Sequence, residues 1–285
     1  MVAAAGRAYA RGPLGVGMGR IARQWARAGI AAGAALGMLV LGAPAATAAV
    51  PAYTALGDSF SSGVGTRSYY DDGTSCQRSS YAYPVLDAQR LGAALTFAAC
   101  SGARVADVQN NQLGSLNSAT TYVTVSVGGN DAGFSSVITQ CALPWPYTCW
   151  GHIDNAQSFI RNTLPGRLNS LYTAIRGRAT AARVVVVGYP RLFNGETCNL
   201  ASRISSGEQA ELNETADLLA TTIAARAVAH GFGFVDARGP FTGHAICDDV
   251  EWINGLSSPV SESYHPNRGG HATGYAPHVE TALRA

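Results

Sequence analysis

Four positions in this chain have the residue types that acyl-transfer chemistry needs, and they are spread along most of its length. Ser59 stands in Gly57-Asp58-Ser59-Phe60-Ser61-Ser62-Gly63, and Gly102 in Cys100-Ser101-Gly102-Ala103. Asn130 stands in Gly128-Gly129-Asn130-Asp131, and His265 in Ser261-Glu262-Ser263-Tyr264-His265-Pro266-Asn267. A serine hydroxyl becomes a competent nucleophile only when an imidazole takes its proton, and the oxyanion that follows must be met by fixed N–H donors. His265, locked by Pro266, is the best-punctuated base; His230, His244, His271 and His278 have no comparable surroundings. Asn130 can aim an amide NH₂ at an anion, and Gly102 a backbone N–H. Taken singly, each has a plain structural use. Ser59 could cap a helix, Gly-Asn-Asp could make a left-handed turn, and His265 could sit in a surface loop. A phosphate-binding loop fits less well, because neither the dinucleotide glycine pattern nor the P-loop lysine is present; the chain has no lysine at all.

Chemistry of this kind needs a frame that brings the four positions together. Five short apolar or β-branched runs, at Tyr53–Leu56, Leu95–Ala99, Tyr122–Val127, Arg183–Val187 and Phe232–Val235, read as strands. Between them lie helical patterns: Val85 to Leu91, Phe159 to Arg176 with Phe159, Leu164, Leu168, Leu171 and Ile175 near one face, and Glu208 to His230 with Ser205 or Ser206 as cap. Strands alternating with helices imply a parallel sheet covered on both faces, with ligands at the carboxyl ends of the strands. Ser59, Gly102 and Asn130 each follow such a strand. The segments 60–82 and 133–157 read as long loops; the second carries Phe134, Pro144, Trp145, Pro146, Tyr147 and Trp150, which suit either an apolar wall for an acyl chain or a stapled surface loop.

Residues 1–48 have the order of a secretory signal. Arg7, Arg11, Arg20, Arg23 and Arg27 precede an apolar run from Gly29 to Leu41, and Ala45-Ala46-Thr47-Ala48 offers a cleavage site. The apolar run is shorter than the roughly 20 residues of a spanning helix, so no membrane-spanning segment is expected after the signal. Five of the 20 basic residues lie in this leader, so the rest of the chain is net acidic against its 18 carboxylates. No basic stripe suggests a nucleic-acid partner. Residues 49–285 read as one domain, a monomer that is secreted. All six cysteines, Cys76, Cys100, Cys141, Cys149, Cys198 and Cys247, lie there. An even count in an oxidising compartment favours disulfides, and joining sequence neighbours (76–100, 141–149, 198–247) is the pairing expected; no C-x-x-C spacing suggests a metal.

The ordered set G-D-S-F-S, a glycine after the second strand, G-G-N-D and Y-H-P-N resembles the four blocks of the GDSL, or SGNH, hydrolase family over about residues 52 to 284. The GDSFSSG opening and six cysteines are similar to its secreted actinomycete branch of esterases, lipases and phospholipases of A1 type. The resemblance implies a three-layer α/β/α sandwich around a five-stranded parallel sheet, flavodoxin-like in topology. It implies that Ser59 is the nucleophile and His265 the base. The oxyanion hole would be the backbone N–H groups of Ser59 and Gly102 and the Asn130 side chain, with the positive end of a helix after Ser59 adding to it. The substrate would be an ester or lipid, with no metal or cofactor. An acetyl or feruloyl polysaccharide ester, or a non-catalytic lipid- or polysaccharide-binding role on the same fold, are the other readings. Where the family usually has an Asp, this chain has Glu262, whose extra methylene would overshoot. We therefore expect the Ser263 carbonyl to orient His265 and Glu262 to face solvent, the Glu262 carboxylate being the alternative.

Overall fold

The computed structural model describes residues 49–144, 146–198 and 204–285. The leader expected at 1–48, and Trp145, lie outside the described residues. Five strands form one parallel sheet: β1 (Ala52–Gly57), β2 (Ala94–Phe97), β3 (Thr120–Ser126), β4 (Arg183–Val187) and β5 (Gly233–Val235), in the order β2-β1-β3-β4-β5. β1, β3 and β4 are buried along most of their length because both faces of a parallel sheet are covered, which is why Arg183-Val184-Val185-Val186-Val187 reads as a continuous apolar run. The helices are α1 (Ser59–Ser62), α2 (Tyr83–Leu91), α3 (Val105–Asp107), α4 (Phe134–Cys141), α5 (Trp150–Asn162), α6 (Leu164–Arg178), α7 (Ser206–Ala229) and α8 (Ala276–Arg284). α2 packs on α8, and α8 on β4 and β5; α5, α6 and α7 pack on one another, with α7 against β4 and β5. With the right-handed crossovers that parallel strands follow, this strand order puts the two groups on opposite faces. This is the expected three-layer α/β/α fold. Chain direction across the sheet reverses between β1 and β3, so the crevice outside their carboxyl ends is the place for a ligand.

The helix boundaries correct two expectations. The pattern from Phe159 to Arg176 belongs to two helices, because Pro165 lacks an N–H and sits in the first turn of α6. Segment 133–157 is mostly helical rather than loop: α4 and the start of α5 occupy it, and Cys141–Cys149 closes the short turn between them. α7 starts where a cap was expected, with the Ser205 side chain accepting from the Glu208 N–H and the Glu208 carboxylate accepting from the Ser205 N–H. The cysteines pair as sequence neighbours: Cys76–Cys100, Cys141–Cys149 and Cys198–Cys247. Among the described residues no helix is long and apolar enough to cross a membrane.

Candidate active site

β1 ends at Gly57, where the backbone turns at φ +125° and a Cβ would lie 2.3 Å from the Ser126 carbonyl oxygen, so only glycine fits. The Gln112 side chain grips this residue from both sides, accepting its N–H at 2.7 Å and donating to its C=O at 2.9 Å. Asp58 follows as the cap of α1, its Oδ1 accepting the Phe60 N–H at 3.0 Å. Ser59 is thereby the first residue of the turn. α1 is four residues long, so the helix expected to lend its positive end is a single turn with little macrodipole.

His265 comes from the far end of the chain. Its backbone lies beside residues 252–254: the Asn254 N–H donates to the His265 carbonyl at 2.9 Å, and the Tyr264 N–H to the Asn254 carbonyl at 2.8 Å. The Asn254 amide also donates to the Gly65 carbonyl at 2.9 Å, which ties this loop to the nucleophile segment. Tyr264 adopts φ +61°, a left-handed conformation that costs about 1–3 kcal/mol for a residue with a Cβ. The kink sets the Ser263 carbonyl against the imidazole. His265 Nδ1 lies 2.8 Å from that carbonyl oxygen, and its Nε2 lies 2.8 Å from Ser59 Oγ. A carbonyl only accepts, so Nδ1 carries the proton and Nε2 is the bare nitrogen that faces the serine hydroxyl. Burial lowers the His265 pKa from its ordinary value of 6.5, opposed by the Ser263 carbonyl and the Glu262 charge.

The two further expected donors stand at neighbouring strand ends. Asn130 donates one amide hydrogen to the Ala103 carbonyl at 3.1 Å, which leaves the other for a ligand and links the turn after β3 to the loop holding Gly102. Asp131 strengthens the link: it accepts the Val105 N–H at 2.8 Å and the Arg167 guanidinium at 3.0 Å. Cys76–Cys100 fastens that loop to segment 60–82. Ser59, Gly102, Asn130 and His265 all line one cavity of about 250 Å³. Much of its wall is apolar, built by Phe60, Phe134, Val137, Ile160, Leu192 and Leu219. Tyr147 and Trp150, expected as possible wall residues, are instead 60% and 43% exposed and do not line it.

Glu262 corrects the expectation that it faces solvent. It is 2% exposed and accepts a short hydrogen bond from the Tyr69 hydroxyl, which also accepts the Gly65 N–H at 3.2 Å. The carboxylate makes no hydrogen bond to Nδ1, whose hydrogen-bond position the Ser263 carbonyl occupies. Glu262→Gln, which keeps an acceptor for Tyr69, is expected to lower kcat/KM by less than about tenfold, against about 10⁴ when the acid of a full triad is replaced. Because the Glu262 charge raises the His265 pKa, the acid limb of the pH profile should move to lower pH in that variant. A loss of three or more decades in folded protein would make the carboxylate part of the machinery.

Tyr69, Gln112, Asn254 and Tyr189, at the end of β4, organise the site without having been singled out from the sequence. All four act on partners remote along the chain, and only Tyr189, in Gly188-Tyr189-Pro190 after a strand, had a local signal.

The chain is similar to known proteins over most of its length. Lipase 1 of Streptomyces coelicolor is 43% identical over 251 residues, 87% of this chain and 92% of that protein. A lipase of Streptomyces rimosus is 44% identical, over 81% of this chain and 86% of that protein. The crystal structures of the extracellular lipase from S. rimosus and of phospholipase A1 from Streptomyces albidoflavus each match at 42% identity with a TM-score of 0.78, covering 82% of this chain and all of theirs. The GDSL-like Lipase/Acylhydrolase pattern is matched over residues 55–273, and the chain belongs to the GDSL-like lipase/acylhydrolase family.

Proposed function

We propose that this carboxylic-ester hydrolase works through an acyl-enzyme on Ser59. His265 is the general base, and the N–H groups of Ser59 and Gly102 with the Asn130 amide receive the oxyanion. The observation that carries this reading is the contact between His265 Nε2 and Ser59 Oγ at 2.8 Å, inside the cavity that Gly102 and Asn130 also line. On this reading Ser59 attacks the carbonyl carbon as its proton passes to Nε2. The same proton then goes to the leaving alkoxide, and a water deprotonated by His265 releases the acid. Residues 1–48 direct the chain out of the cell, and the domain at 49–285 acts there as a monomer; the name of the S. rimosus relative, an extracellular lipase, supports the location.

The apolar wall points to an ester with a hydrocarbon acyl chain of more than two carbons. Each methylene buried from water contributes about 0.8 kcal/mol, or about fourfold in kcat/KM. With a series of soluble aryl esters, kcat/KM is expected to climb from acetate to the medium-chain acids and level off where the cavity is full. Acetate as the best substrate would favour the polysaccharide-ester reading instead. Glycerophospholipids with labelled acyl positions then test the A1 specificity named for the S. albidoflavus relative.

A further inference from the structure

Tyr189 lies at the carboxyl end of the strand next to β3, is 7% exposed, and touches two of the four segments that build the site. Its hydroxyl is 2.5 Å from Asp58 Oδ2 and 3.2 Å from the Gly129 nitrogen. A backbone N–H can only donate, so the phenol oxygen accepts from Gly129 and its own hydrogen goes to the Asp58 carboxylate. Asp58 uses its other oxygen to accept the Phe60 N–H at 3.0 Å. One unbroken chain of bonds therefore runs from the turn that presents Ser59 to the residue immediately before Asn130.

The packing says the same. The Tyr189 ring packs directly over Gly129, so that a Cβ placed there would rest in ordinary contact with it at 3.4 Å. The ring meets Phe60 edge-on with centroids 5.0 Å apart, and Phe60 in turn packs 5.3 Å from the His265 ring. Burial pushes the Asp58 carboxyl up to about 7, and the Tyr189 bond acts against that shift, favouring the ionised acceptor. Since the phenol hydrogen is already committed to Asp58, Tyr189 has no donor left for a substrate anion.

We infer that Tyr189 is a positioning residue for the oxyanion hole: its hydroxyl locks the Asp58 cap of the nucleophile turn to the Gly129 N–H, fixing the distance between Ser59 and the Asn130 amide. This rests on the reading of Ser59 and Asn130 given above. Preorganised donors stabilise a transition state only if they need not move when charge develops. Beyond the backbone bond from the Asp58 N–H to the Ser126 carbonyl at 2.9 Å, the Tyr189 hydroxyl is a side-chain strut between the Ser59 turn and the residue beside Asn130.

The test is a double-mutant cycle in full-length protein with a soluble ester. Tyr189→Phe keeps the ring that walls the cavity and removes only the hydroxyl. It should lower kcat about tenfold to a hundredfold with KM within about twofold, less than the 10²–10³ expected when a donor itself is lost, as in Asn130→Ala. Residues that act as a unit are not additive. The double variant should therefore be no more than about threefold slower than Asn130→Ala alone. Independent, multiplying losses, an unchanged kcat, or an effect on KM alone would overturn the inference. Asp58→Asn, which keeps an oxygen to accept the Phe60 N–H but puts an NH₂ where the phenol hydrogen was received, gives the second arm should Tyr189→Phe fold poorly: it must lower kcat severalfold, and an unchanged kcat overturns the proposal. If Asn130→Ala itself keeps full kcat, the assignment of the oxyanion hole fails and this inference with it. If Asn130→Ala falls by 10²–10³ while Tyr189→Phe does not change, only the strut fails.

Discussion

Ser59→Ala is expected to leave a folded protein whose kcat on a soluble ester has fallen by at least about 10⁴. Removing the nucleophile of a serine hydrolase costs on the order of 10⁴–10⁶, and what remains comes from binding and the oxyanion donors. Those survive here, because the backbone N–H of residue 59 is kept and neither Gly102 nor Asn130 is touched. The fold should survive as well. Alanine is favourable in a first helical turn, the cap is supplied by Asp58 rather than by Ser59, and the hydroxyl's hydrogen bond is to His265, which keeps its second bond to Ser263. Steady-state kinetics and a melting curve on the same preparation check the prediction. A fluorophosphonate adds a direct readout, since wild-type protein should be labelled on the peptide containing Ser59 and the variant should not. More than about one hundredth of wild-type turnover at an unchanged melting temperature would remove Ser59 from its role. A folded wild-type protein that resists the label and cleaves no ester would instead favour the binding-module reading.

How much of this could be read in the sequence depended on how far each signal reached along the chain. The strands were legible because β-branched runs such as Val184–Val187 are buried on both faces, and β4 has the bounds its sequence suggested. The Ser59, Gly102 and Asn130 blocks were legible because each follows a strand, and a parallel sheet brings all carboxyl ends to one edge, whereas His265, in a loop well beyond β5, was marked by its following Pro266. The first errors were local ones. Pro144 and Pro146 suggested a loop over all of 133–157, yet Phe134, Val137, Ile138 and Cys141 keep helical spacing, and Val137, Ile138 and Cys141 are buried. The apolar face from Phe159 to Ile175 ran through Pro165 without a change of phase because a proline in a helix's first turn leaves the next turns intact. The later error was not local. Nothing near Glu262 announces Tyr69, which lies 193 positions away and draws the carboxylate inward. The same distance hid Tyr189, 131 positions from the Asp58 it binds.

Replacing His265 should cost as much as replacing Ser59, and the way activity fades with acid should show why. The Ser263 carbonyl holds Nδ1 as a donor, so the neutral ring presents a lone pair from Nε2 to Ser59 Oγ at 2.8 Å. Protonation of Nε2 fills that lone pair, and the serine then has no base. Activity therefore follows the neutral fraction of His265: kcat/KM is flat above its pKa and falls about tenfold per pH unit below it. Burial moves that pKa down from 6.5, so the midpoint of the acid limb should lie below pH 6.5 and the enzyme should be on its plateau at neutral pH. A carbonyl partner stabilises the imidazolium less than a carboxylate would, which agrees with the direction of the shift. His265→Ala should reduce kcat by about 10⁴ or more, and combining it with Ser59→Ala should add almost nothing, because base and nucleophile act as one unit. The acid limb should vanish with the imidazole, leaving a low rate that no longer tracks a group near neutrality. An acid-limb midpoint above pH 7 in the wild type would contradict a buried, carbonyl-held base. A His265→Ala variant within about a hundredfold of wild type would mean that another group takes the Ser59 proton.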